Sequence, residues 1–227
     1  MRLPVCIPLG IAVPPLFFWE KRRRDLLRIR WAGGFHPFHA TTLLTLRLMD
    51  ETLRNPCCER LLDVGCGSGI LALAAAFMGV PQVVGVDVSP RAIRESLANA
   101  RLNALEEKTL WLVGSTDALA GGHFHCIVAN LRFHLLQAML DDLVRLMDRS
   151  AREPTLILSG FHDTQWPLLE SLCRLVGLEA VRILSQDQSF YGIPPSGSFT
   201  WVAARLRFGG PDGAPAEECL PVDPQRE

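Results

Sequence analysis

The sequence predicts an α/β fold: a doubly wound, mainly parallel sheet of seven strands that ends in an antiparallel strand pair. Three observations carry this prediction. Short apolar runs alternate with helix-length runs from residue 41 to residue 176, which is typical of parallel strands joined by helices. A glycine-rich turn links the first of these strands to its helix. Two further apolar runs close the pattern.

The elements follow in order along the chain. Residues 5–13 and 26–30 are interpreted as two strands around a basic turn, and residues 41–54 as a helix because Leu44 and Leu48 fall on one face. Ser89 and Pro90 supply a cap and a first-turn proline for a later helix. The remaining elements are strands at 60–64, 82–87, 109–113, 125–129 and 155–159, helices at 70–78, 90–102, 132–147 and 164–176, and the closing strand pair at 179–185 and 199–207.

Composition predicts three parts. Residues 1–31 are expected to form a linker with a β-hairpin, residues 32–208 the α/β domain, and residues 209–227, rich in Pro, Gly and Glu, a disordered tail. Hydrophobic residues make up 48% of the chain and charged residues 21%, which is a globular composition. The net charge of −1 gives no global indication of nucleic acid.

The N-terminus and the cysteines bear on the compartment. The apolar N-terminal stretch is interrupted by prolines, and its positive cluster follows the apolar run instead of preceding it, unlike a signal peptide. The seven cysteines have neither metal-ligand spacing nor a disulfide pattern. We therefore expect a cytoplasmic protein with no membrane association and no metal.

The most informative motif is Asp63-Val-Gly-Cys-Gly-Ser-Gly, between a predicted strand and a predicted helix. Gly65, Gly67 and Gly69 let the backbone approach a ligand closely, and Asp87 at the end of the next strand can accept hydrogen bonds from ribose hydroxyls. A dinucleotide site prefers G-x-G-x-x-G, with a pyrophosphate at the helix N-terminus. Asp63 disfavours a pyrophosphate and suits a cationic ligand such as S-adenosylmethionine.

Polar residues also follow the later strands. Ser115, Thr116 and Asp117 follow the third strand, and Asn130 ends the fourth. Ligands of doubly wound sheets bind beyond the carboxyl ends of the strands. These residues are therefore expected near the glycine turn.

Several strings together resemble the class I S-adenosylmethionine-dependent methyltransferases, and among them the PrmA-type ribosomal protein L11 methyltransferases and their protein-lysine relatives. The resemblance extends from about residue 7 to residue 206. The strings that carry it are, in order, His39-Ala-Thr-Thr, the glycine motif from Asp63, Val86-Asp87-Val, Val128-Ala-Asn130-Leu, Ile157-Leu-Ser-Gly160 and Trp201-Val-Ala.

The resemblance implies a Rossmann-like class I fold, S-adenosylmethionine as the cofactor, and N-methylation of a protein lysine or amino group. It implies that Ser115, Thr116 and Asp117 contact the adenine. His39, Thr41 and Thr42 are expected to fold over the cofactor, and Asn130 to bind cofactor and hold the methyl acceptor as the catalytic residue. The alternative for residues 115–117 is a solvated turn. The alternative for Thr41 or Thr42 is a helix N-cap, and that for Asn130 is a strand-end cap.

Departures from the family pattern leave the acceptor open. The family carries a separate substrate-binding domain, and this chain is expected to hold the catalytic domain only. The string before the threonines is Gly33-Gly-Phe-His-Pro-Phe-His39, residue 125 is histidine, and Asn130 is followed by Leu131 and Arg132. We expect a protein substrate, ribosomal or otherwise lysine-bearing. The alternatives are a small-molecule or RNA acceptor, or a non-catalytic S-adenosylmethionine-binding partner subunit.

Overall fold

The computed structural model describes residues 27–31, 37, 39–54, 57–119, 124–186 and 200–209. The predicted strand at 5–13 and the tail beyond residue 209 lie outside these ranges, as does the first part of the predicted linker. The statements below concern the described residues.

The described residues form five α-helices and seven strands, which follow one another in the predicted order. The boundaries of most elements fall within one or two residues of the predicted ones. The helices are α1 Ala40–Leu53, α2 Ile70–Phe77, α3 Pro90–Leu102, α4 Phe133–Leu146 and α5 Trp166–Leu175, and the strands are β1 Arg60–Val64, β2 Gln82–Asp87, β3 Thr109–Val113, β4 Cys126–Asn130, β5 Thr155–His162, β6 Leu178–Gln186 and β7 Trp201–Phe208.

The seven strands form one sheet in the order β3-β2-β1-β4-β5-β7-β6. Strands β1 to β5 are parallel to one another, and β7 is antiparallel to both β5 and β6. This confirms the predicted doubly wound sheet with its antiparallel C-terminal pair. The chain order reverses between β1 and β4, and a crevice opens at such a point beyond the strand ends.

Two apolar layers cover the sheet. One joins α1, α2 and α3 to the sheet, and its centre is the fully buried α2 run from Ala72 to Ala76. The other joins α4 and α5 to the opposite face around Leu136, Leu143 and Phe161. Because α2 is buried on nearly every side, it holds the preceding glycine turn in a fixed position.

The prediction of a strand at residues 26–30 was wrong, since residues 27–31 do not form a strand. Leu27 and Ile29 are fully buried. The backbone partners are side-chain amides of α3 rather than a neighbouring strand. Asn103 accepts from the Arg28 N–H at 2.8 Å and donates to the Arg28 carbonyl at 2.7 Å, and Asn99 makes the same pair of bonds with Arg30.

Candidate functional site

The glycine turn after β1 is folded back onto β2. The N–H groups of Gly65 and Cys66 donate to the Val86 carbonyl at 2.8 and 3.1 Å. Gly65, Gly67 and Gly69 all have positive φ, at 73°, 55° and 80°. A Cβ on Gly69 would run into the Trp111 ring and Ser96, whereas a Cβ on Gly67 would have no close neighbour besides its own turn. Gly67 therefore has room for a ligand against its backbone.

Asp87 joins this turn to the start of α3. Its Oδ2 accepts from the Gly67 N–H at 3.0 Å, and its Oδ1 accepts from the Ser89 N–H at 2.8 Å. The carboxylate is half-buried and lines a cavity at the carboxyl ends of the strands. A carboxylate has about four acceptor positions, so Asp87 retains capacity for the two ribose hydroxyls predicted from the sequence.

Two buried side chains of α3 hold the other side of the turn. Ser96 Oγ donates to the Gly67 carbonyl at 2.9 Å, and Asn99 Nδ2 donates to the Ser68 carbonyl at 2.9 Å. Sequence reasoning did not assign these roles, and Ser96 was missed entirely. The signal for them is a stripe of small and polar residues on one face of α3, at positions 92, 96, 99 and 103.

Asp63 lies behind the turn rather than in the cavity lining. It is buried, and its Oδ2 accepts from the Ala72 N–H at 3.0 Å. Its Oδ1 is buried without a hydrogen-bond partner among the described residues. Burial and the negative charge of Asp87 raise the pKa of Asp63 to about 7, against the lowering effect of the Ala72 bond. A positive charge placed close by would favour the ionised form.

A cavity of about 880 Å³ opens beyond the carboxyl ends of β1, β2, β4 and β5. Its size is within the range of small-molecule sites. Among its lining residues are the turn from Gly65 to Ser68, Asp87, and Asn130. The other described lining residues are Trp31, Pro37, Thr42, Ile70, Leu71, Ser89, Arg91, Ala92, Glu95, Leu131, Arg132, His134, Leu135, Gly160 and Trp201.

Asn130 and Thr42 meet at the β4 side of this cavity. Asn130 Nδ2 donates to Thr42 Oγ1 at 3.4 Å. Asn130 Oδ1 is buried and has no hydrogen-bond partner in the part of the chain that the structure describes. An unpaired buried acceptor costs free energy, so this oxygen marks a place for a donor from a ligand.

His39 and Thr41 shape the start of α1 next to the cavity. His39 is the N-cap residue, and its Nδ1 accepts from the Thr41 N–H at 3.3 Å. Its ring meets the cavity-lining Trp201 edge-on at 4.8 Å. The cap of this helix is therefore His39 and not a threonine. Thr41 is fully buried outside the lining, while Thr42 reaches the cavity.

Ser115, Thr116 and Asp117 are not among the described lining residues of the cavity. Thr116 is buried, and its Oγ1 donates to Asp142 Oδ2 at 3.1 Å. Its carbonyl accepts from Arg145 at 3.2 Å. The turn is thus fixed to α4, and its predicted contact with adenine stays a prediction.

Within the described ranges, no helix is long and apolar enough to cross a membrane. The same ranges contain no group of three or more His, Cys, Asp or Glu side chains arranged to hold a metal ion.

Comparison with known proteins decides the family. The profile of the family described as ribosomal protein L11 methyltransferase (PrmA) matches residues 34–188, which is more than half of the chain. The chain belongs to the PrmA family. This confirms the class I methyltransferase resemblance, and S-adenosylmethionine is the methyl donor of PrmA-family methyltransferases.

Curated PrmA relatives share the matched region. The ribosomal protein L11 methyltransferase of Porphyromonas gingivalis is 35% identical over 173 residues, which cover 76% of this chain and 52% of the relative. The same enzyme of Thiobacillus denitrificans is 43% identical over 132 residues, covering 58% of this chain and 40% of the relative. The chain thus spans about half the length of the curated relatives it matches.

Solved structures share the fold. The ribosomal protein L11 methylase of Lactobacillus delbrueckii subsp. bulgaricus superposes with a TM-score of 0.67 at 23% identity, over 85% of this chain and 90% of that one. The magnesium protoporphyrin IX methyltransferase of Synechocystis, solved with bound S-adenosylmethionine, gives a TM-score of 0.56 at 17% identity, over 78% and 87% of the two chains. At these identities the likeness establishes the class I fold.

Proposed function

We propose that this chain is an S-adenosylmethionine-dependent methyltransferase that N-methylates a lysine or amino group of a protein. The observation that carries the proposal is Asn130 Oδ1, a buried acceptor without a described partner. It lies at the end of β4 in the same cavity as the Asp87-anchored glycine turn. A cofactor site and an unfilled acceptor for a donor group therefore share one cavity.

The residues present fit S-adenosylmethionine. Asp87 offers carboxylate capacity for two hydroxyls, and Gly67 leaves its backbone open to close approach. The buried Asp63 Oδ1 has no hydrogen-bond partner among the described residues, so a nearby donor or positive charge would stabilise it. When bound, the cofactor supplies a methyl group on a sulfonium sulfur, which reacts by in-line displacement at carbon.

The role of Asn130 is to orient the acceptor. A lysine amine has a pKa near 10.4 in water, so it must lose a proton before its nitrogen has a lone pair. Asn130 Oδ1 is neutral and accepts a hydrogen bond from an N–H of the uncharged amine. The hydrogen bond from Asn130 Nδ2 to Thr42 Oγ1 fixes the orientation of the amide group. Holding the lone pair on the line of displacement accounts for a large part of the rate in such reactions.

Relatives indicate the substrate class. The curated proteins that match this chain are named ribosomal protein L11 methyltransferases, and we take ribosomal protein L11 as the first substrate to test. We assign the catalytic unit to residues 32–208, with residues 1–31 as linker and residues 209–227 as tail. The protein is proposed to act in the cytoplasm.

The test is transfer of labelled methyl groups from S-adenosylmethionine. The purified chain is incubated with extract of cells that lack it and, separately, with ribosomal protein L11. A labelled protein, mapped by mass spectrometry to a lysine or an N-terminal amine, supports the proposal. Label confined to RNA or small molecules overturns the protein substrate, and binding without transfer points to a non-catalytic partner subunit.

Matched variants separate the two halves of the site. Asn130→Ala is expected to lower kcat by about 10- to 100-fold, corresponding to roughly 1.4–2.7 kcal/mol, with cofactor affinity changed much less. Thr42→Ser keeps the hydroxyl that the amide contacts and is expected to keep most of the activity. Equal kcat in wild type and Asn130→Ala would remove Asn130 from the mechanism.

A further inference from the structure

A positive charge lines the cavity next to Asn130 and has no role in the cofactor site. Arg132 follows Asn130 by two positions, is exposed, and lines the same cavity. Its side chain does not cap α4. The ion pairs among the described residues do not include it. The acceptor side of the cavity, which is its described lining between residues 130 and 135, therefore presents a guanidinium without a carboxylate partner in the described ranges.

The backbone at Arg132 is fixed from two directions. The N–H of Leu131 donates to the Ser159 carbonyl at 3.0 Å, and the Arg132 carbonyl accepts from N–H groups of α4 at 2.9 and 3.2 Å. Leu131 also packs so closely against Gly65 and Gly160 that a Cβ on either glycine would collide with it. Two residues span at most about 7 Å, so the Arg132 side chain starts from a fixed point close to the end of β4.

The two sides of the cavity differ in charge. Asp87 and Glu95 line it on the side of β2 and α3, together with Arg91. The described lining residues of the acceptor side include no carboxylate, and the first turn of α4 contains no acidic residue. His134 in that turn adds a ring N–H donor to the lining. An anionic group of a substrate is therefore attracted to Arg132, whereas a cationic group beside it is repelled.

A single carboxylate fits this side better than a nucleic acid does. The planar guanidinium of arginine matches a carboxylate with two parallel hydrogen bonds. A nucleic acid strand presents a row of phosphates and is bound by several basic side chains along a groove. Among the described lining residues of the acceptor side, Arg132 is the one arginine, and no lysine accompanies it.

We propose that Arg132 selects acceptor lysines that have an aspartate or glutamate next to them in the substrate. This assignment rests on the proposed function, since it takes the acceptor to be a protein amine held at Asn130. An extended peptide advances about 3.3 Å per residue. A carboxylate one or two residues from the acceptor lysine therefore lies on the same length scale as the separation between Asn130 and Arg132. Arg132 contacts the flanking side chain and not the reacting atoms, so it determines specificity.

The test compares methyl transfer from S-adenosylmethionine to short peptides that have a blocked N-terminus, a single lysine, and glutamate, glutamine or arginine on both sides of it. If peptides are not methylated, the same flanks are placed beside the lysine mapped in the labelled protein. For the wild type, kcat/KM is expected to be highest with glutamate and lowest with arginine. The preference for glutamate over glutamine is expected to be about three- to fivefold, as for a solvent-exposed ion pair, and to shrink with added salt.

Variants of Arg132 tie this preference to its charge. Arg132→Gln is expected to remove the difference between the glutamate and glutamine flanks. Arg132→Glu is expected to reverse the order of the glutamate and arginine flanks, which a purely structural role of Arg132 would not do. The control is Arg94→Gln, which removes the same charge at an exposed position of α3 outside the cavity lining. It is expected to keep the wild-type preference.

Three results would overturn the assignment while the proposed function stands, because methylation of a protein amine still occurs. The first is equal kcat/KM of the wild type for the glutamate and glutamine flanks. The second is a loss in Arg132→Gln by the same factor on both flanks. The third is inhibition by RNA that Arg132→Gln relieves, which would assign the guanidinium to phosphate. Failure of the wild type to methylate any peptide or protein would overturn the proposed function itself, and this assignment with it.

Discussion

Asp87 has a structural role in the turn, and we propose that the same carboxylate binds the cofactor. It fixes the glycine turn through Gly67 and the start of α3 through Ser89. Hydrogen bonds to a charged group contribute about 1.5–3 kcal/mol each. Loss of this side chain therefore removes the anchor of the turn together with the predicted ribose contact.

We expect Asp87→Ala to weaken S-adenosylmethionine binding by at least about 100-fold, or roughly 3 kcal/mol, because two charge-assisted contacts disappear. Isothermal titration calorimetry measures this directly. The control is Asp50→Ala, since Asp50 forms an ion pair with Arg54 on α1 away from the cavity lining. Wild-type affinity in the Asp87 variant would contradict the assigned cofactor site.

We expect Asp63 to make cofactor binding sensitive to pH. Burial raises its pKa to about 7 in the free protein, so the carboxyl changes its protonation near neutral pH. The positive charge of a ligand bound in front of the glycine turn is expected to lower that pKa, so that binding below pH 7 releases a proton. Affinity is therefore expected to rise with pH up to about 7 and then to level off with respect to this group.

Calorimetry at pH 6.5 in two buffers of different ionisation enthalpy counts the released protons. Asp63→Asn keeps an oxygen for the Ala72 N–H but has no proton to release, so the buffer dependence due to this group is expected to vanish. If wild type and Asp63→Asn release the same number of protons, Asp63 does not face the positive charge of the cofactor.

The residues of the site were predictable to different degrees. The glycines and Asp87 follow from spacing between a strand and a helix, which is local information. Ser96 acts through a carbonyl 29 positions away in sequence, so its role depends on how α3 packs. Asn130 and Thr42 are 88 positions apart; the strand-end argument placed Asn130 near the turn, and only the family resemblance placed Thr42 there.

At the scale of elements, α3 organises its surroundings through polar side chains. Its N-terminus meets Asp87 through Ser89, its middle holds the glycine turn, and its last residues hold the segment 27–31. This segment shows why a strand was predicted wrongly. Its backbone groups bond to amide side chains instead of a neighbouring strand, and sequence periodicity does not reveal such partners.

Asn103→Ala is expected to release the segment 27–31. Both backbone groups of Arg28 lose their partner, which costs about 1–3 kcal/mol of unfolding free energy. Urea unfolding measures the loss, and hydrogen exchange localises it, with faster exchange at the Arg28 amide. Asn103→Asp retains an acceptor for the Arg28 N–H and is expected to protect that amide better than alanine does. Unchanged exchange at Arg28 in Asn103→Ala would refute the tether.

Strand β5 shows a second limit of sequence reasoning. It was predicted to end at residue 159 but continues to His162 past a register shift between Ser159 and Phe161. Gly160 has a φ of 96° at this irregularity, and a Cβ there would collide with the Leu131 backbone. In the sequence, Gly160 indicated the end of a strand. In the structure it lies at a bulge within β5, where the missing side chain lets the loop after β4 approach the strand.

For the whole molecule, the sheet order brings the two halves of the site together. The strands on either side of the reversal, β1 and β4, carry the glycine turn and Asn130. The alternation of strands and helices in the sequence was enough to predict a site at the carboxyl ends of these strands. The wall that α1 adds was not predictable from periodicity, because it depends on α1 packing against β5 and β7 so that Thr42 reaches the end of β4.

Because the cavity draws on both layers of the fold, cofactor binding is expected to stabilise the entire domain. A ligand that binds only the folded state adds about 2.7 kcal/mol at 100 times its Kd, which corresponds to a rise in Tm of roughly 5–10 °C for a chain of this size. Thermal unfolding with increasing S-adenosylmethionine measures the shift.

The shift separates binding from catalysis. Asp87→Ala is expected to lose most of the rise in Tm, because its Kd for the cofactor reaches or exceeds the ligand concentration used. Asn130→Ala is expected to keep most of it, because Asn130 Oδ1 is assigned to the acceptor rather than to the cofactor. Loss of the shift in Asn130→Ala would move Asn130 to the cofactor site, and an undiminished shift in Asp87→Ala would show that the cofactor binds elsewhere.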